Sequence, residues 1–176
     1  MANHLERLAF IDETSVKTNM AKTTGWAPRG QRLGDHAPFG HWRTQTFIGA
    51  LRHDRLDAPW VIAGAMNSEM FDLYVETQLA PTLREGDVVI LDNLSSHKSP
   101  GAVRAMRQVG AWFLFLPPYS PDLNPIEMAF SKLKTLIRKA TAQTYDVLWQ
   151  AVVHVCGLFA DEECYNFFKA AGYKID

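Results

Sequence analysis

Asp12, Asp92 and Glu127 are the residues whose types and settings could combine into chemistry. Asp12 ends the apolar run Leu8-Ala9-Phe10-Ile11, and Asp92 ends a second, Val88-Val89-Ile90-Leu91. Glu127 follows Asn124-Pro125 at the head of an amphipathic stretch. Singly, each has an ordinary use: an aspartate can turn the chain after a strand, and Asn124-x-x-Glu127 can act as a variant capping box. Together, two aspartates ending neighbouring buried strands and a glutamate on a helix's first turn would converge at one sheet edge. Such a group repels itself unless a hard cation neutralises it, and carboxylates with open positions suit Mg2+ or Mn2+. Two such ions, about 3.5–4 Å apart, activate a nucleophile and stabilise the leaving oxygen of a phosphodiester.

The elements that must carry these acids alternate between strand and helix. Residues 8–12 read as a buried strand with Glu13-Thr14-Ser15 as its exit, which places Asp12 at the strand's C-terminal end. Residues 17–42 contain Gly25, Pro28, Gly30, Gly34, Pro38 and Gly40 and predict a long loop or irregular hairpin carrying Lys17, Lys22, Arg29 and Arg32. Residues 44–51 and 60–65 predict an antiparallel pair turned at His53-Asp54-Arg55. Ser68 is expected to cap a helix with Met70, Phe71, Tyr74, Val75 and Leu79 inward, running to about Leu83 despite Pro81. A strand at 88–91, a helix over 101–109 with Val103 and Met106 inward, and a strand at 112–116 make a strand–helix–strand unit. Parallel strands joined by right-handed crossovers follow, with a ligand crevice beyond their carboxyl ends. The four prolines between Leu116 and Glu127 predict a rigid loop feeding a helix, with Asn124 as N-cap and Pro125 as first helical residue. Ile126, Ala129, Phe130, Leu133, Leu136 and Ile137 share that helix's buried face, and Glu127, Ser131, Lys134 and Arg138 lie beside it. Two closing helices are expected over 144–159 and 163–171, with Trp60, Trp112 and Trp149 in the core.

With 176 residues, 47% hydrophobic and 21% charged, the chain suits one globular domain over 1–176 and excludes a disordered or collagen-like one. No apolar run approaches the roughly 18–20 residues of a membrane span, and the first residues lack a signal peptide's pattern, so a cytoplasmic protein without a membrane partner is expected. Cys156 and Cys164 form no Cys-x-x-Cys pair and read as reduced structural thiols. The net charge of -1 conceals blocks: residues 17–55 hold seven Lys/Arg against two Asp/Glu, residues 56–97 one against seven, and residues 98–139 seven against two. Basic blocks on either side of an acidic one suit a polyanion partner beside a cation-binding centre.

The strings Phe10-Ile11-Asp12-Glu13, Leu91-Asp92-Asn93 with Ser96-His97-Lys98, and Leu116-Pro117-Pro118-Tyr119-Ser120-Pro121-Asp122-Leu123-Asn124-Pro125-Ile126-Glu127 closely resemble the catalytic domain of mariner-like transposases, particularly their bacterial insertion-sequence branch. The 34 residues between Asp92 and Glu127 match that family's aspartate–aspartate–glutamate (DDE) spacing, and Gly25-Trp26-Ala27-Pro28-Arg29-Gly30 resembles its loop after the first strand. The resemblance implies an α/β, ribonuclease H-like fold, a mixed five-stranded sheet flanked by helices. It further implies that Asp12, Asp92 and Glu127 hold two Mg2+ ions, replaceable by Mn2+, for DNA cleavage and strand transfer in transposition. Phe130 stands where many relatives have Trp.

Met1 lies eleven residues before Asp12, so the terminal-repeat-binding helix-turn-helix region of that family is expected from a separate or frameshift-joined reading frame. The implied partners are transposon ends and target DNA, with a dimer in the active assembly. Arg29, Arg32, Asn93, His97, Lys98, Lys134 and Arg138 are candidate DNA contacts, against the plainer reading of solvated surface. Trp26, on its Gly/Pro loop, is the aromatic best placed to meet a partner or a base. A ribonuclease H or junction-resolving nuclease of the same fold, or a catalytically silent transposase fragment, are the alternatives.

Overall fold

Apolar residues without polar alternation mark strands covered on both faces, and the first strand shows why. The computed structural model describes residues 4–17, 25–32, 34, 44–118, 120–140 and 144–173; Lys22, Tyr119 and much of the expected 17–42 loop lie outside them. Strand β1 (Leu8–Lys17) turns Leu8 and Phe10 into one core layer and Ala9 and Ile11 into another. The remaining strands are β2 (Thr44–Leu51), β3 (Leu56–Ala63), β4 (Val88–Leu91) and β5 (Trp112–Phe115). Their order is β3-β2-β1-β4-β5, antiparallel between β3, β2 and β1 and parallel from β1 through β4 to β5. This is the mixed five-stranded, helix-flanked sheet of the ribonuclease H-like class.

Helices α1 (Ser68–Tyr74) and α2 (Pro100–Gln108) cover one face, where Phe71, Tyr74, Ala102 and Met106 meet Ile11, Ile48 and Leu91. Helices α3 (Ile126–Ala140), α4 (Tyr145–Cys156) and α5 (Asp161–Ala170) cover the other, where Ile126, Phe130, Leu133, Leu148 and Phe168 meet Phe10, Phe47 and Ile90. Phe130 packs edge-on against Phe47 with ring centroids 5.8 Å apart, and Phe10 does the same with Phe168 at 5.1 Å. The two thiols are free, Cys164 buried and Cys156 half-buried. No helix among the described residues is long and apolar enough to cross a membrane.

Several local expectations are corrected. Asp12 does not end its strand: β1 runs on to Lys17 because antiparallel pairing with β2 extends from Phe10 to Lys17, whereas parallel pairing with β4 stops at Phe10. The strand paired with β2 begins at Leu56 rather than at residue 60, since Leu51 and Leu56 already face each other across the turn. Asn67, not Ser68, caps α1, its side chain accepting from the Met70 amide at 2.8 Å. The α-helix stops at Tyr74 and continues as a wider π turn (Val75–Leu79) and a 3-10 turn (Ala80–Thr82), as Pro81 has no N–H to bond backwards. On α2, Ala102, Ala105 and Met106 fill the core while Val103 is half-buried. Trp112 is 50% exposed because β5 is an edge strand, while Trp60 and Trp149 pack against the core from its margin.

Away from the cleft described below, Arg52 is buried with Nη2 at 2.7 Å from Asp87, and it also donates to the Glu6 and Thr82 carbonyls. Removing one partner of a buried pair strands the other charge, which costs about 3–5 kcal/mol. Arg52→Ala is therefore expected to lower unfolding free energy by about that amount in a urea titration, and an Arg52→Met, Asp87→Leu double variant to recover most of it. A loss below about 1 kcal/mol in the single variant would show that water reaches the pair.

Candidate functional site

Parallel pairing between β1 and β4 ends at Phe10 and Ile90, and beyond that point the sheet opens into a crevice. Asp12, two residues further along β1, continues the row of Leu8 and Phe10 on the α3 side. Asp92 follows the last residue of β4. The Leu116 amide bonds the Leu91 carbonyl at 2.8 Å, carrying the β4–β5 alignment one step past β5, so Pro117-Pro118 leaves the sheet close to Asp92. Beyond the prolines, a 3-10 turn (Pro121–Leu123) is fixed by the Tyr173 hydroxyl, which donates to the Leu123 carbonyl at 3.0 Å. Helix α3 then starts with Ile126 buried, which leaves Glu127 exposed on the side of the opening.

Asp12, Asp92 and Glu127 thus line one open cleft of about 430 Å3, with Asn93, Leu94, Leu116, Pro117, Pro118, Ser120, Pro121 and Asn124 as its walls. Among the described residues no lysine or arginine lines it. Burial first, then the charges of Glu127, Asp92 and Glu13, push the Asp12 carboxyl up to about 7, against the lowering effect of the Glu13 amide. That amide donates to Asp12 Oδ1 at 2.7 Å, and Asn124 Nδ2 donates to Oδ2 at 3.1 Å. The acids share the cleft without closing into a cation shell: among the described residues no three His, Cys, Asp or Glu side chains are gathered that tightly. Their chemistry nevertheless fits Mg2+ or Mn2+, since all are hard oxygen donors that lack a basic neighbour in the cleft.

Asn124 departs from its expected capping role. Its amide is buried and turned to Asp12, and its Oδ1 has no hydrogen-bond partner. Pro125 sits one residue before the helix rather than in its first position. His97, expected to face DNA, is 1% exposed; its ring lies against Phe71 and bonds Asp92 and Glu13. Burial alone would lower the His97 pKa, but the two carboxylates outweigh it and hold it above the ordinary value. Asn93 is exposed at the cleft, whereas the exposed Lys98 places its ammonium 5.5 Å over the Phe115 ring. Arg29 and Arg32 are exposed, Lys134 and Arg138 are half-buried, and none of the four lines the cleft. Trp26 is 99% exposed. Glu13 was read only as a strand exit, although alternation from Asp12 already places it on the opposite sheet face. Burial pushes the Cys156 and Cys164 thiols up to about 12 and about 11, so neither is a thiolate nucleophile near neutral pH.

Because Asp12 holds its proton more tightly folded than unfolded, its contribution to stability is greatest below the unfolded pKa and is lost as pH rises toward 7. Asp12→Asn removes that penalty. In chelator at about pH 8 it is expected to gain about 1 kcal/mol or more, or about 2–4 °C in Tm, with the gap narrowing toward about pH 5. Equal melting temperatures at both pH values would mean that Asp12 is ionised at no cost.

Residues 7–148 match the family model described as DDE superfamily endonuclease. No curated protein matches the sequence. Among solved structures, Mos1 transposase in a paired-end complex with the left transposon end aligns with a TM-score of 0.71 at 14% identity, over 98% of this chain and 57% of that one. The Mos1 transposase catalytic domain with raltegravir and Mg gives 0.66 at 12% identity over 95% and 79%, and the catalytic domain of Mos1 mariner transposase gives 0.63 at 14% over 96% and 78%. The chain spans a little over half the length of the transposase in that paired-end complex. With most of its length inside the family's pattern, the chain belongs to the DDE superfamily endonucleases.

Proposed function

We propose that this chain is the catalytic domain of a transposase, cutting DNA at transposon ends and joining the freed 3′-hydroxyl to target DNA. The observation that carries this reading is that Asp12 from β1, Asp92 from the end of β4 and Glu127 from α3 line one cleft that, among the described residues, no lysine or arginine lines. These three would hold Mg2+, two ions per site, with Mn2+ able to replace it. When bound, the ions lower the pKa of water or of a terminal hydroxyl and stabilise charge at the phosphate. The protein's part is to place the carboxylates: Asp12 is fixed by the Glu13 amide and Asn124, and Glu127 by the first turn of α3. The proline-walled side is stiff, so a DNA strand entering the cleft would meet a preformed edge. No covalent intermediate with the protein is required, in keeping with the high pKa of both thiols.

Arg29, Arg32, Lys134 and Arg138 would meet phosphates around the cleft, with Asn93 at its rim and Lys98 once it leaves Phe115. Structurally similar proteins include Mos1 transposase in paired-end and strand-transfer complexes, and Mos1 with Mg or Mn. By likeness to them, the partners proposed here are transposon ends and target DNA, with a dimer in the active assembly and a helix-turn-helix region for end recognition.

The test is nicking of supercoiled plasmid in Mg2+, Mn2+ or Ca2+ by the parent chain and by Asp92→Asn with an unchanged melting curve. Nicking in Mg2+ or Mn2+ that falls to background in the variant is expected. Metal-dependent nicking of equal rate by Asp92→Asn would remove the carboxylates from the mechanism.

A further inference from the structure

His97 lies behind the cleft rather than in it, and its two ring nitrogens face acidic side chains from different strands. Nδ1 is 2.6 Å from Asp92 Oδ1, and Nε2 is 2.9 Å from Glu13 Oε2. The imidazole is covered by Phe71, with ring centroids 4.5 Å apart, on the α1–α2 side of the sheet. The turn that bears it is pinned at both ends. The His97 amide bonds the Leu94 carbonyl at 3.2 Å, and Ser99 bonds Asp72, which also accepts the Ala102 amide at 2.7 Å.

The position of this bridge in the sheet gives it meaning. Backbone pairing of β1 with β4 ends at Phe10 and Ile90, so no ladder hydrogen bond sets the distance between the chain carrying Asp12 and the chain carrying Asp92. Glu13 is the neighbour of Asp12 on β1, pointing to the opposite face. A donor bonded to both Glu13 and Asp92 therefore closes, from behind, the gap that the cleft opens in front. It also occupies Asp92 Oδ1, together with the Leu94 amide at 3.4 Å, and among the described residues Oδ2 carries no hydrogen bond.

We infer that His97 is a positioning residue that ties Glu13 to Asp92, setting the rotamer of Asp92 and the separation of the two aspartates before any cation or DNA arrives. This role rests on the metal site proposed above. A donor behind a ligating carboxylate fixes its orientation, and removing such a partner typically weakens metal affinity about 10–100-fold. Either nitrogen can be tested separately: an asparagine amide overlies Nδ1 and can still reach Asp92, whereas a glutamine amide overlies Nε2 and can reach only Glu13. Phenylalanine keeps the packing on Phe71 and removes both donors.

The experiment titrates Mn2+ into the full chain, following free Mn2+ by electron paramagnetic resonance, with melting curves recorded in chelator. His97→Phe is expected to weaken Mn2+ binding about 10–100-fold, His97→Asn to recover much of the loss, and His97→Gln little of it. Affinities equal to the parent's in all three variants, with Asp92→Asn still abolishing binding, would overturn the positioning role and leave the metal site standing. A parent that binds no Mn2+ would overturn both. Should His97→Phe fail to fold, the other two variants decide alone: Asn binding no better than Gln would sink the proposal.

Discussion

The constraint on which the structure turns is the crowding of negative charge around Asp12. Burial and three neighbouring carboxylates raise its pKa to about 7, so near neutral pH it is poised between two states, neither of them comfortable. Ionised, it is only partly hydrated and repelled by its neighbours; protonated, it loses the strength of its bonds from Glu13 and Asn124. Packing alone does not generate such an arrangement, because apolar side chains at these positions would fold at less cost. The acids are tolerated because the surrounding elements are over-determined.

That over-determination comes from the mixed sheet. A wholly parallel β1 would end where β4 ends, and Asp12 would hang from a free loop. Antiparallel pairing with β2 instead carries β1 seven residues past Phe10, holding Asp12 and Glu13 in a rigid ladder while the β4 side stays open. Across that opening, Leu116 and the prolines form one wall, and Asn124 and Glu127 at the head of α3 another. Helix α3 is fixed by Ile126, Ala129, Phe130 and Leu133, all buried against the sheet. Each acid is thus borne by a separate element, and each element is anchored by apolar residues outside the cleft.

Much of this was legible in the sequence because it is written in local patterns. Two apolar runs ending in aspartate, the proline string and the helical spacing after Pro125 require only period and turn chemistry to read. What was misread depended on partners remote in sequence. Asp12 lies mid-strand because β2, more than thirty residues away, pairs with it. Asn124 fits a cap by local rules, yet Asp12, 112 residues away, holds its amide. His97 follows Asp92 by five residues and looks like an exposed loop residue until Phe71 and Glu13 are brought over it. Trp112 lies in an apolar run that reads as a core strand, and it is half exposed because β5 is the edge of the described sheet.

Strand β4 states the division between stability and chemistry most compactly. Its four residues are flanked by two aspartates, Asp87 before Val88 and Asp92 after Leu91, separated by about 15 Å of extended chain. Asp87 meets a buried guanidinium at 2.7 Å and accepts the Arg84 amide, so its charge is balanced within the molecule and its contribution is to hold the fold. Asp92 meets the Leu94 amide and an imidazole that it shares with a second carboxylate, and Asp12 is bonded by the Glu13 and Asn124 amides. The same side chain, at opposite ends of one strand, is a structural tie where the chain supplies a guanidinium and faces an open cleft where it does not. Asp12, Asp92 and Glu127 share one cleft that no lysine or arginine lines among the described residues. A divalent cation is a species whose charge would balance these carboxylates.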